Sequence, residues 1–113
     1  MSSSGISVGN NLTAGVTTAV YKVPTGYAAL WNLMYLHNAS GNTKYITAKW
    51  YDASANTEYD VLAEYSMGAK DYLKFDGGAY VVLDEGDEIR LTPESGSTFS
   101  SINTFELLRK KNG

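Results

Sequence analysis

Lys44-Tyr45-Ile46-Thr47-Ala48-Lys49-Trp50-Tyr51-Asp52 alternates without a break. Ile46, Ala48 and Trp50 fall on one side and Tyr45, Thr47, Lys49 and Tyr51 on the other, the period of two expected of a half-buried β-strand. Turn-forming runs bound it, Asn38-Ala-Ser-Gly-Asn-Thr43 before and Asp52-Ala-Ser-Ala-Asn56 after. The stretch predicts a strand joined to its predecessor as a hairpin.

Working outward, the preceding run from Tyr27 to His37 is also a strand, but of another kind. Ala29, Trp31, Leu33 and Tyr35 share one parity and Leu30, Met34 and Leu36 the other, so both faces are largely apolar. One face would meet the core. The other needs a cover, either the N-terminal arm or another subunit, because a half-solvated strand alternates more cleanly. Before it, Ala19 to Val23 reads as a short strand that ends at Pro24, with Pro24-Thr25-Gly26 supplying the turn.

On the other side, Thr57 to Glu64 places Tyr59, Val61 and Ala63 on one face and Glu58, Asp60 and Glu64 on the other. A boundary near Met67-Gly68 leads to Lys70 to Phe75, with Leu73 and Phe75 inward. Asp76-Gly77-Gly78 reads as a tight loop before an apolar strand from Ala79 to Leu83. Asp84-Glu85-Gly86-Asp87 turns the chain into Glu88 to Thr92, and Phe99 to Leu108 is the last strand. No window carries a sustained 3.6-residue apolar period. About eight short strands separated by Gly, Asn and Asp turns predict an all-β fold, an antiparallel β-sandwich of jelly-roll or immunoglobulin-like form. The pattern does not separate these two topologies.

Residues 1–18 hold no charged side chain and are rich in Ser, Gly, Asn and Thr. They read as an extended, flexible N-terminal arm outside the core, able to strap a neighbouring subunit, with the sandwich domain spanning 19–113. The 113 residues suit a single domain, and 43% hydrophobic with 19% charged residues excludes disorder. There is no cysteine, so disulfides, thiolate metal sites and cysteine nucleophiles are excluded. A net charge of -3 gives no electrostatic reason to expect nucleic acid or an anionic membrane as a partner. The start of the chain lacks the basic residues and apolar run of a signal peptide, which predicts synthesis in a cytoplasm.

Little in the sequence points to catalysis. His37 is the only histidine, no Gly-x-Ser-x-Gly elbow accompanies it, and a strand-end histidine beside a polar turn reads as a hydrogen-bonded turn residue. Ten of the twelve acids lie between Asp52 and Glu88, and Asp84, Glu85, Asp87 and Glu88 crowd into five positions. They lack the alternate spacing and flanking helices of an EF-hand, so they read as a turn with solvated charges. No phosphate-binding glycine loop occurs. Neither a metal nor any other cofactor is expected.

The tyrosines carry more promise. Tyr45 and Tyr51 point outward from the cleanest strand, Tyr72 lies between Lys70 and Lys74, and Tyr35 is on the doubly apolar strand. Each is read either as a cross-strand partner that stabilises the sheet or as a contact for a protein or a sugar.

Several motifs recur in order: Val23-Pro-Thr-Gly-Tyr-Ala-Ala-Leu30, Leu36-His-Asn-Ala-Ser-Gly41, Ala48-Lys-Trp-Tyr-Asp-Ala-Ser-Ala-Asn56, Phe75-Asp-Gly-Gly78 and Leu83-Asp-Glu-Gly-Asp-Glu-Ile-Arg90. In that sequence they resemble small virion proteins of tailed bacteriophages. The resemblance covers most of residues 21–92. It implies a β-sandwich that serves as a capsid decoration (cement) protein or a tail or fibre accessory, and it carries no catalytic residue. Its matched positions, Pro24, Gly26, Trp50, Gly77, Gly78, Gly86 and Asp87, are implied to be turn and core. On this basis the expected partners are the major capsid protein or other virion proteins, the expected assembly a homo-oligomer, a trimer in particular, and the expected location the virion.

Overall fold

The computed structural model describes residues 3–75 and 81–110. Among them are nine strands and no helix: β1 (Ser3–Leu12), β2 (Thr18–Lys22), β3 (Tyr27–Asn38), β4 (Lys44–Asp52), β5 (Thr57–Met67), β6 (Tyr72–Phe75), β7 (Val81–Leu83), β8 (Glu88–Pro93) and β9 (Phe99–Arg109). The strand expected over Lys44 to Asp52 is β4, residue for residue. The Asp76-Gly77-Gly78 loop and the start of the strand expected at Ala79 lie outside the described residues.

Two antiparallel sheets form, one in the order β1-β9-β3-β6 and the other β2-β8-β4-β5. β6 and β7 share one edge of β3, the first beside Met34–His37 and the second beside Ala29–Trp31. Pairing is therefore nested: first strand with last, second with next to last, third with the β6/β7 pair, fourth with fifth. Only β4 and β5 are both consecutive and hydrogen-bonded neighbours, and this nested order is that of a jelly roll. It resolves the choice the sequence left open. It also corrects the hairpin expected across residues 38–43, because β3 and β4 belong to different sheets.

A larger correction concerns the N-terminus. Residues 3–12, expected outside the core as part of the 1–18 arm, run antiparallel to β9 over ten consecutive pairs, from Ser3 opposite Leu108 to Leu12 opposite Phe99. Leu12 is buried. Uncharged, polar sequence reads as unstructured when its own burial is counted, but an edge strand gains its ladder from a neighbour already in place.

Ala29, Trp31, Met34, Leu36, Phe99 and Phe105 of one sheet pack against Val20, Ile46, Ala48, Ile89 and Leu91 of the other in a single core cluster. Tyr21 stacks on Phe105 with ring centroids 4.2 Å apart, and burial pushes its hydroxyl above the ordinary tyrosine range. The register of β3 on β9 shifts between Trp31 and Leu33. This bulge explains why one parity does not describe β3: Ala29 and Trp31 face the core before it, Met34, Leu36 and Asn38 after it. β5 is similarly interrupted, with two register shifts against β4 and Glu64 at φ 47. Its expected strict alternation is broken accordingly.

Candidate interaction surface

The two outer faces of the sandwich differ in chemistry. On the β2-β8-β4-β5 sheet, Lys49 lies 3.6 Å from both Glu58 and Asp60, and Arg90 binds Glu58 at 2.7 Å and Glu88 at 2.9 Å. The Arg90 guanidinium also covers the Tyr51 ring at 3.9 Å from its centroid. The hydrogen bond from Arg90 holds the Glu58 carboxyl below its ordinary range. This is a face built for water.

On the outer face of the β1-β9-β3-β6 sheet, apolar and aromatic side chains meet across the strands, with Lys74 and Glu106 among them. Residues directly opposite each other in an antiparallel sheet share a face. Leu30 lies opposite Val82, Leu33 opposite Thr104, Tyr35 opposite both Ile102 and Lys74, and His37 opposite Tyr72. These alternate with the buried positions of β3 and so point away from the core. Tyr72 is 60% exposed, Val82 59% and Ile102 46%. Tyr35 and Tyr72 stack with centroids 5.5 Å apart and planes within 10°. At the β1 end of the same face, Gly5 and Gly9 lie opposite Glu106 and Ile102, with Ser7 bonded to Thr104 at 2.8 Å between them. A Cβ at either glycine would meet nothing closer than 3.9 Å, so the molecule's own packing does not require glycine there. Glycine inside a strand costs stability and is often found where another backbone approaches.

The four tyrosines singled out from sequence are thus divided. Tyr35 and Tyr72 are brought together on the apolar face. Tyr45 and Tyr51 are on the opposite face, about 20 Å apart along β4 at roughly 3.3 Å per residue. Tyr51 is engaged within the molecule, donating its hydroxyl to Asn56 Oδ1 at 2.7 Å beneath Arg90. Tyr45 is an exposed residue of its strand. Ile102 and Val82 were not picked out by sequence reasoning. The available signal was an isolated isoleucine in the polar phase of Phe99-Ser-Ser-Ile-Asn-Thr-Phe105.

His37 bonds through Nδ1 to the Asp71 carbonyl at 3.2 Å, a turn contact at the end of β3. Among the described residues, no group of three or more His, Cys, Asp or Glu side chains converges in a way that could hold a metal ion. The acidic turn departs from its expected form. Asp84 and Glu85 do contact Lys110, at 2.7 and 3.4 Å, and the Lys110 hydrogen bond followed by that from the Glu85 amide lowers the Asp84 carboxyl. Asp87, expected to be solvated, is only 3% exposed. Its carboxylate accepts from Trp50 Nε1 at 3.2 Å, the Ala53 amide at 2.9 Å and the Asp84 amide at 3.0 Å. It ties the β7–β8 turn to the β4–β5 turn and is a structural group.

Fold and surfaces together define a jelly-roll module with an ion-pair network on the outer face of one sheet and the exposed Tyr72, Val82 and Ile102 on that of the other. No protein-family model matches the chain, and no curated protein sequence matches it. Among solved structures it is similar to the globular domain of zebrafish complement 1qA protein, with a TM-score of 0.47 and 17% identity over 95% of this chain and 98% of that one.

Proposed function

We propose that this chain is a non-enzymatic structural protein that associates with copies of itself through the outer face of the β1-β9-β3-β6 sheet. The observation that carries the reading is the contrast between the faces. Leu30, Leu33, Tyr35, Tyr72, Val82 and Ile102 are gathered on one, whereas the other is laced with ion pairs. Clustered exposed apolar side chains mark a contact surface; Lys74 and Glu106 lie among them, opposite Tyr35 and Leu30. Of the two covers considered for the second face of β3, the arm is excluded for residues 3–12, since β1 lies beside β9 in the sheet plane. That supports a second subunit as the cover.

The assembly we have in mind is a homotrimer, and the setting a tailed-phage virion, where the protein would decorate the head by binding the major capsid protein. The ordered motifs from Val23 to Arg90 support that setting. Mass spectrometry of purified particles tests it: hundreds of copies mean capsid decoration and a handful mean a tail or fibre accessory, while absence from particles refutes a virion role.

A second reading, contact with a surface sugar, is favoured by the open Tyr72 ring stacked on Tyr35. A glycan array with the native chain and Tyr72→Ala separates it, since sugar binding would be lost in the variant.

A further inference from the structure

The sandwich ends in four sheet edges, and three of them carry devices that discourage pairing with another chain. β5 has two register shifts, Glu64 in a left-handed conformation, and the acids Glu58, Asp60 and Glu64. β2 has five residues, a register shift between Ala19 and Tyr21, and Lys22 at its end. Among the described residues, the edge formed by β6 and β7 consists of segments of four and three residues. Shortness, charge and bulges are the usual means of blunting an edge.

β1 has none of these. It is ten residues long, contains no charge and no proline, keeps an unbroken register on β9, and has no positive φ. As the terminal strand of its sheet, it turns alternate backbone N–H and C=O groups towards an edge that no other described strand occupies.

We propose that this edge pairs antiparallel with β1 of a second copy of the chain, extending one sheet across two molecules. This goes beyond the face contact proposed above, because it lies in the plane of the sheet and not over it. Three features point to a second copy as the occupant. Antiparallel pairing of a strand with itself is closed by a two-fold axis, so the contact is complete at two molecules. The absence of charge in β1 means that self-pairing brings no like charges opposite each other. Ile6, opposite the fully buried Phe105 and on the same side of the sheet, is nevertheless 40% exposed, and Val8 is only half-buried. A second β1 would extend the inner apolar layer over both.

Amide hydrogen exchange on the full chain, followed residue by residue across β1 at increasing protein concentration, tests the pairing. In the single molecule only alternate amides of residues 3–12 are protected, by β9. Pairing protects consecutive amides and slows the second set by about tenfold or more as concentration rises. Ile6→Lys, which places a charge on the inner side of the edge, restores the alternate pattern. Ile102→Lys, which disrupts the apolar face, leaves the consecutive pattern intact, so failure of the face contact and failure of the edge contact are told apart. Alternate protection at every concentration in the native chain overturns the proposal, and so does a paired edge formed only with a different virion protein. Should Ile6→Lys not fold, all its β1 amides exchange fast, and the native concentration series decides alone.

Discussion

Tyr35 and Tyr72 stack nearly parallel, 5.5 Å between centroids, on a sheet face that the molecule itself leaves uncovered. Tyr35 comes from β3 and Tyr72 from β6, and the pair is held by a register in which Leu36 and Leu73 lie opposite each other on the core side. Core packing therefore aligns the aromatic pair without covering it. A pair of rings aligned in this way by the fold would lose little conformational freedom on association.

If that surface mediates self-association, a charge placed in it should abolish assembly through that face and leave folding nearly unchanged. Ile102→Lys is expected to alter unfolding free energy by no more than about 0.5 kcal/mol, as for an ordinary surface position. Sedimentation velocity should show it as nothing larger than two chains joined at β1, where the native protein is a larger oligomer.

The Asp87 carboxylate is expected to matter for stability alone. Asp87→Ala leaves the Trp50 indole N–H and the Ala53 and Asp84 amides without their acceptor. An unsatisfied buried donor costs about 1–3 kcal/mol; these three are only part-buried and water can reach them in the variant, so a loss of roughly 2–4 kcal/mol is expected in urea unfolding. The same variant should still assemble wherever it remains folded.

Gly86 precedes it in the same turn, at φ 84, with its missing Cβ directed at the Ala53 Cβ, 3.2 Å away. Gly86→Ala combines a left-handed backbone with a tight contact between two turns. A destabilisation of about 1–3 kcal/mol is expected in the same measurement.

Acid should weaken the surface ion pairs before the core. Glu58 and Asp84 both have folded-state values lowered by hydrogen bonds from Arg90 and Lys110 respectively. A lowered carboxyl contributes stability that is complete above its unfolded-state value and is lost as pH falls through its folded-state value. Melting temperature should thus decline below the ordinary carboxyl range. The decline is small, because these groups are exposed and screened. In Arg90→Met the part due to Glu58 should shrink to what Lys49 supplies; an unchanged slope would mean that the Arg90 ion pair contributes nothing.

Sequence periodicity reads the strands well wherever alternation is unbroken, as in Lys44–Asp52, because inward and outward environments differ sharply there. It misassigns faces on β3, where the bulge between Trp31 and Leu33 shifts the phase by one residue. A bulge leaves no composition signal, so Leu33 and Tyr35 read as partners of Trp31 although they face the other way. Residues 3–12 read as an arm because their ordering comes from a ladder with β9, nearly a hundred residues away in sequence. Of the four tyrosines, sequence identifies aromatic character but not which outer face each occupies. That depends on strand order, which period-two patterns do not encode. Asp87 shows the same limit, since acid-rich turns and buried carboxylate caps share one local sequence.

The most direct test of the assembly is the mass of the native chain in solution, by sedimentation equilibrium over a wide range of concentration. A multiple of the 12.3 kDa chain is predicted, reduced to the β1-paired dimer by Ile102→Lys and to one chain when Ile6→Lys is added. A native protein that remains at 12.3 kDa throughout, with its apolar face open to water, would contradict it.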